Sequence, residues 1–333
     1  MEKIGKQTIR FDNPPTISEC ASIVGPKEAQ GPLAKYFDQT LDDEFWGEKT
    51  WEKAESKIIK ETVNTVITKS GIPASEIDCM FAGDLLNQCI SSSFGLRDVG
   101  IPFFGVFGAC STFVESMSLG AIAIESFAKN VLCATSSHFC SAEKQFRFPL
   151  ELGNQRPPTS QWTVTGSGAA ILTKDGTGPY ITHITPGKII DMGIKDANNM
   201  GAAMAPAFCD TLITHFIDTG RSPNYYDVIL SGDLGHIGKS IVIDIAKSQG
   251  YNIKSNYNDC GVLIFDKNAQ DTHSGGSGCA CCGTVFSGYF FKQLKERKIK
   301  KVLLIATGAL MNSTSSQQGE SIPGIAHAIS IEL

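Results

Sequence analysis

Charge of a single sign is scarce in this chain. Its 29 Lys+Arg and 34 Asp+Glu leave a net charge of −5, and charged residues make up only 19% of the sequence. No basic block interrupts that balance. The clustered positive face from which nucleic-acid recognition starts is therefore missing, and so is a polybasic membrane patch. The opening residues, Met-Glu-Lys-Ile-Gly-Lys-Gln, mix both signs and lack the apolar core of a signal peptide. Synthesis and residence inside a cell are the expectation. The uncharged stretch Val99 to Val114 spans 16 residues and contains Pro102 and several glycines. It falls short of the roughly 20 residues a helix needs to cross a bilayer, so any membrane association is expected to be peripheral.

What the chain does have is length and apolar content. With 333 residues, 42% of them hydrophobic, it accommodates about two folding units, each able to bury a core without disulfides or metals. Disorder, collagen and small disulfide scaffolds are excluded. Eleven cysteines, an odd number, are spread along the chain. In a reducing compartment most of them are expected to be thiols packed as small apolar groups, which leaves the question of which one is special.

Apolar residues Trp51, Ala54, Ile58, Val63, Val66 and Ile67 recur at helical spacing from Trp51 to Ser70, and Gly71 and Pro73 follow as a stop signal. Ile77 to Ala82 reads as a buried strand running into Gly83-Asp84-Leu85. A second buried strand, Pro102 to Phe107, leads into Gly108-Ala109-Cys110-Ser111, after which Thr112 and Glu115 form a capping-box pair for a helix reaching about Lys129. A third strand, Val131 to Thr135, ends at Ser136-Ser137-His138. Alternation of this kind predicts a largely parallel sheet with helical crossovers.

The second half repeats the pattern. Ser231-Gly232-Asp233-Leu234 follows the strand Val228 to Leu230 as Ala82-Gly83-Asp84-Leu85 follows the first strand, and Gly278-Cys279-Ala280-Cys281 opens a helix as Gly108-Ala109-Cys110-Ser111 does. Val302 to Ala306 mirrors Val131 to Thr135. Constant order with a drifting offset is what a duplication leaves after loop insertions. The expected halves are 1–176 and 177–333, divided in the turn Lys174-Asp175-Gly176-Thr177-Gly178, with the strand Gly166 to Ile171 closing the first.

A duplicated α/β chain with a cysteine at a helix start resembles the thiolase-like superfamily, in particular the condensing enzymes of fatty-acid synthesis. Within it, Phe81-Ala-Gly-Asp-Leu-Leu-Asn-Gln88, Phe107-Gly-Ala-Cys-Ser-Thr112, Ala134-Thr-Ser-Ser-His138, Gln145-Phe-Arg-Phe-Pro149, Met204-Ala-Pro206 and Gly275-Gly-Ser-Gly-Cys-Ala-Cys281 resemble the stage V sporulation protein AD family of endospore-forming bacteria. The resemblance implies an α/β, thiolase-like fold of two duplicated βαβ-rich halves in a five-layer αβαβα architecture. It also implies a ligand, dipicolinic acid (pyridine-2,6-dicarboxylate) or its calcium chelate, moved into the developing spore and released on germination. The implied location is the periphery of the spore inner membrane, beside the other SpoVA channel proteins, and relatives of this fold are usually homodimers. No cofactor, structural metal or nucleic acid is implied.

Cys110 is the leading position. A thiol at a helix start faces the positive end of the dipole, which favours thiolate, and in acyl-transferring relatives the matching cysteine is the nucleophile. The plain alternative is a buried cysteine filling a tight turn. Condensing enzymes pair the nucleophile with two later groups, commonly His with Asn or His with His. Here Gly232 and Asp233 stand where the first histidine is expected, with His236 a few residues on, and cysteine (Cys279, Cys281) stands where the second partner is expected. These departures predict a binding protein, and the alternative is an acyl-CoA or acyl-carrier-protein acyltransferase using Cys110.

A flat dianion calls for backbone N–H donors, a cation and an apolar wall. The helix start at Cys110, Ser111 and Thr112 can supply the amides, and Lys144 and Arg147, beside Phe146 and Phe148, the cations and rings. Arg147 is preferred for its planar fork. The alternative for that segment is a solvated loop. Asp84 repels a dianion, so it must be protonated, hold the Ca²⁺ of a chelate or orient a donor, unless it and Asp233 simply cap helices. Asp233, Cys279 and His138, which ends a strand, complete the candidate ligand-binding set.

Two motifs invite other chemistries. Asp233-Leu-Gly-His-Ile-Gly-Lys-Ser240 has the form of a phosphate loop but begins with Asp where Gly is required. Cys279, Cys281 and Cys282 near His273 suggest zinc but lack the spacer and the second pair. His183, His215 and His327 fall in strand or helix patterns and are expected to be structural.

Overall fold

In the computed structural model, residues 1–146 and 156–333 are described. Among the described residues, three short strands pair off the continuous path of the main sheet, which ten strands form: β1 (Thr16–Val24), β2 (Cys79–Gly83), β3 (Phe103–Gly105), β4 (Asn130–Ser137), β5 (Gly166–Thr173), β6 (Tyr180–Thr185), β7 (Val228–Ser231), β8 (Tyr257–Asp259), β9 (Lys301–Ala309) and β10 (Gly324–Glu332). Their order is β8-β7-β9-β10-β6-β1-β5-β4-β2-β3. The sheet therefore has two arms of five strands, each built in the same order outward from its first strand. The arms meet where Tyr180 pairs with Thr16.

The sheet is mixed, which corrects the expectation of a largely parallel one. In each arm the outer three strands run parallel. The last strand of each arm returns between the first strand and its neighbour and is antiparallel to both. A chain that ends each half next to where it began cannot keep one direction throughout.

The principal helices are α1 (Trp51–Ser70), α2 (Ile90–Leu96), α3 (Thr112–Ser126), α4 (Phe139–Phe146), α5 (Met200–Thr219), α6 (Gly235–Ser248), α7 (Cys260–Ile264) and α8 (Cys279–Val285). α1 starts where Thr50 accepts a hydrogen bond from Lys53 N and ends at Gly71 with φ 69°. Its apolar stripe of Ala54, Ile58, Ile59, Val63 and Val66 is buried against β1 and β5. α3 and α8 are apolar nearly all round, which suits only a helix enclosed on every side. α3 lies between the arms, packed on β2 and β4 of one and on β9 and β10 of the other, while α8 packs on α3, β4 and β5. α5 and α6 pair with each other, and α5 covers the far face of β9 and β10. The succession is the five-layer αβαβα arrangement.

Two local expectations change. The strand expected from Pro102 to Phe107 shortens to Phe103–Gly105, an edge strand whose Phe103 and Phe104 are exposed rather than buried. The capping box is not formed. Thr112 Oγ1 instead accepts from Gly108 N at 3.1 Å and donates to Ala109 O at 2.6 Å, and Ser111 Oγ donates to Gly108 O at 2.6 Å. The hydroxyls are consumed in holding a turn that puts Ala109 at φ 50°.

α5 is the one helix among the described residues long and apolar enough to cross a membrane, and 67% of its apolar window is buried within the protein. That burial is what a core helix of this fold requires.

Close backbone approach fixes how α8 sits on the sheet. A Cβ at Gly168 of β5 would lie 2.2 Å from the carbonyl carbon of Gly283 in α8, a contact that neither rigid element can relieve by rotating a side chain. Gly168→Ala is expected to cost about 3 kcal/mol and to lower the thermal midpoint by several degrees in a calorimetric scan. Gly71→Ala, where the added methyl meets nothing within 4 Å, is expected to cost only about 1 kcal/mol for its left-handed backbone.

Candidate functional site

The turn after β3 and the end of β9 bring Gly108 and Gly308 together so closely that a Cβ on Gly308 would lie 2.3 Å from Gly108 O. This contact sets Cys110, at the start of α3, against the turn that opens α8. The thiol of Cys110 lies 3.9 Å from Ser277 Oγ. Behind both stands Asp233, in the turn after β7, fully buried. Its carboxylate accepts from Thr307 Oγ1 at 2.8 Å, Ser277 Oγ at 3.0 Å and Gly278 N at 3.1 Å, and Ser277, whose one proton goes to Asp233, links it to the Cys110 thiol.

The electrostatics follow from that geometry. Burial pushes Asp233 up to about 6, against the pull of its hydrogen-bond donors. Burial, and then the Asp233 charge, push the Cys110 thiol far above its ordinary range. The helix-start argument predicted a lowered value and is overturned. A helix dipole contributes roughly 0.3–1 kcal/mol, which desolvation and a buried carboxylate together exceed. At neutral pH Cys110 is a protonated thiol against Ser277 Oγ, which in turn donates to the carboxylate.

The cleft in front of Cys110 is narrow, with a cavity volume of about 40 Å³. Leu85, Phe107, Ala142, Phe146, Met200 and Met311 give it an apolar wall, and Cys110, Ser277, Thr163 and Glu143 give it polar points. No Lys or Arg lines it among the described residues.

Of the residues expected in the site, Cys110 lines the cleft, and Asp233 and Cys279 stand directly behind it. Cys279 belongs to the small apolar cluster of Leu85, Cys110 and Ala142, and its thiol donates to Ser136 O at 2.9 Å. The others are occupied elsewhere. Asp84 accepts from Leu86 N, Ser92 N and Ser92 Oγ, holding its own loop and α2. Ser111 is spent on Gly108. His138 is fully buried, with Nε2 2.8 Å from Glu44 O and Nδ1 accepting from Cys140 N. Lys144 forms an ion pair with Glu52 at 3.0 Å on the surface. Arg147 and Phe148 lie outside the described residues.

The segment around Lys144 is a helix rather than a loop, and that explains its misplacement. On α4 a one-residue step turns the side chain by about 100°, so Ala142, Glu143 and Phe146 face the cleft while Lys144 turns outward. The sequence reasoning also missed Met200 and Met311, which arrive from arm 2 and share no local motif with Cys110. A helical period through Phe139 to Phe146 is the signal that could have selected Glu143 and Phe146.

The two other motifs have structural explanations. Leu234 N and Gly235 N, the amides a phosphate would occupy, donate to Asp259 at 2.7 and 2.9 Å. His236 lines an open groove with Lys267 and His273, away from Cys110. Among the described residues no three His, Cys, Asp or Glu are grouped to hold a metal, and His273 pairs with Asp271 at 2.8 Å. Behind Cys279 lies an acidic pair of a different kind. Glu55 of α1, pushed up to about 8 by burial and by Asp84, accepts from Ser136 and Ser141.

A family model described as stage V sporulation protein AD matches residues 5–332. Stage V sporulation protein AD of Bacillus subtilis (strain 168) is 44% identical over 333 residues, which covers all of this chain and 98% of that one. Among solved structures, 3-oxoacyl-[acyl-carrier-protein] synthase III from Aquifex aeolicus is similar with a TM-score of 0.56 at 12% identity, over 96% of this chain and 100% of that one. An OleA variant from Xanthomonas campestris reaches a TM-score of 0.62 at 12% identity, over 98% and 100% of the two chains. At that identity the two structures share the fold.

If the Asp233 charge holds the Cys110 proton, removing it should release the thiol. Asp233→Asn is expected to raise the rate of Cys110 alkylation by iodoacetamide near pH 8 by about tenfold, the equivalent of one pKa unit. Peptide mass mapping of native protein checks it, and an unchanged rate would show that burial alone controls the thiol.

Proposed function

Because this chain belongs to the stage V sporulation protein AD family, and so is a sporulation protein of thiolase-like fold, we propose that its Cys110 cleft binds dipicolinic acid or the calcium chelate without acyl chemistry. In this role the protein supports movement of the ligand into the developing spore and its release on germination. It works at the periphery of the spore inner membrane beside the SpoVA channel proteins.

One observation carries the non-catalytic half: Cys110 contacts Ser277, which donates to a buried carboxylate, Asp233, whose charge keeps the thiol protonated. A condensing enzyme needs a thiolate, and a partner that donates to a developing oxyanion. A carboxylate stabilises the proton on sulfur and repels an oxyanion, so it opposes both steps. What remains is a walled cleft with rings and thioethers, Phe107, Phe146, Met200 and Met311, suited to the face of a flat aromatic ligand. Calorimetric titration with dipicolinate, with and without calcium, tests this, and saturable heat that weakens in Met311→Asp is the expected result. No saturable heat with either form at millimolar ligand, or a stable acyl adduct on Cys110 after incubation with acyl-CoA, would overturn it.

A homodimer belongs to the same proposal. β3 is paired on one side only, and Phe103, Phe104 and Phe107 stand exposed along it, with Ile90 and Phe94 exposed on α2, the helix that follows β2. An apolar edge of this kind invites a second strand, and a second copy of the chain offers one by two-fold symmetry. Light scattering after size exclusion is expected to give a dimer for the native chain and a monomer for Phe104→Lys. A native monomer at tens of micromolar would exclude this interface.

A further inference from the structure

We infer that Asp233 acts as a charge filter, admitting to the Cys110 cleft a planar dicarboxylate already neutralised by a divalent cation or accompanied by a proton, and disfavouring the bare dianion. The filter rests on the ligand proposed above and adds to it a rule about the ligand's charge. Cys110 and Ser277 both line the cleft, and Ser277 donates to the Asp233 carboxylate while it contacts the Cys110 thiol. A ligand carboxylate seated against them is therefore one side chain away from a buried anion. The groups that donate to Asp233 are neutral: Ser277 Oγ, Gly278 N and Thr307 Oγ1.

Among the described residues the surrounding elements add no positive charge. From β8 Asp259 makes an added negative charge costlier, while from α8 the Cys281 thiol stays protonated and adds no charge. Lys144 is drawn to Glu52 on the surface, and no Lys or Arg lines the cleft among the described residues. Like charges in a desolvated site disfavour one another until one is neutralised. Asp233 is the group placed to take up that proton, since burial already holds it at about 6.

The sign is fixed by linkage. A bound dianion raises the affinity of Asp233 for its proton, so binding of free dipicolinate takes up a proton and weakens as pH rises above about 6, by about tenfold per unit. The calcium chelate carries its own compensating charge and loses little over the same range. Titration calorimetry of the full chain with sodium dipicolinate and with calcium dipicolinate, at about pH 6, 7 and 8 and in two buffers of different ionisation enthalpy, reads both effects. The expected result is about one proton taken up with the free acid, little with the chelate, and tighter binding of the chelate at about pH 8. Asp233→Asn is expected to flatten the slope for the free acid and bring its affinity within a few-fold of the chelate. Binding of free dipicolinate with no pH dependence and no proton uptake, or an unaltered slope in a folded Asp233→Asn, would overturn the filter while leaving the ligand in place. Failure of both forms to bind would instead remove the ligand itself. The native-chain pH series decides the matter even where circular dichroism shows that the variant has not folded.

Discussion

Asp233 leaves β7 in one arm of the sheet and receives the hydroxyl of Thr307 from β9 and Ser277 with Gly278 from the turn that opens α8, while Ser277 also meets the thiol of Cys110 from the other arm. Everything else about the site depends on these bonds. A carboxylate withdrawn from water costs several kcal/mol unless its oxygens are filled, and three donors fill them. Each donor is thereby fixed in place, and Ser277 meets Cys110, so the start of α3, the start of α8 and the end of β9 converge on one point. The arrangement orients Cys110 firmly while denying it the charge it would need as a nucleophile.

The glycines around this point show what the convergence demands of the backbone. Gly108 and Gly308 touch main chain to main chain, and Gly168 and Gly283 do the same one layer away. Side chains at these positions would part the arms from α8 and open the space behind Cys110. Close packing at the floor and a cleft at the mouth are thus one feature, since the buried bonds of Asp233 survive only where water is excluded.

Much of the fold was legible because it is written twice. The helix Trp51–Ser70 was read to the residue from apolar period and its glycine stop, and the strands beginning near Val131, Val228 and Val302 were placed by their repeated words. Strand direction was not legible, because nothing in Gly166 to Thr173 records that it returns between β1 and β4. At the site, Cys110 and Asp233 were found from their places in the repeat. Asp84 occupies the matching place in arm 1 but binds its own loop. What separates the two is long-range: Asp233 meets Ser277 and Thr307, dozens of residues away, whereas the residues after Asp84 turn back and offer it their own amides. Lys144 was misplaced for a local reason: on α4 it stands one residue past Glu143 and turns away from the cleft to Glu52.

Two acidic positions lie behind the Cys110 thiol, and their difference bears on what the cleft can hold. Glu55 is pushed up to about 8, so near neutral pH it is a carboxylic acid held by Ser136 and Ser141, close to Asp84. Protonation of Glu55 keeps that pair from placing two charges in the layer beneath Cys279. Asp233, held near 6 by its larger set of donors, is ionised over most of the physiological range and stands nearer the cleft. The Asp233 charge is the one that raises the Cys110 thiol. In the role proposed for this cleft, a neutralised acid is the better guest because the buried anion behind Cys110 is a group that still titrates.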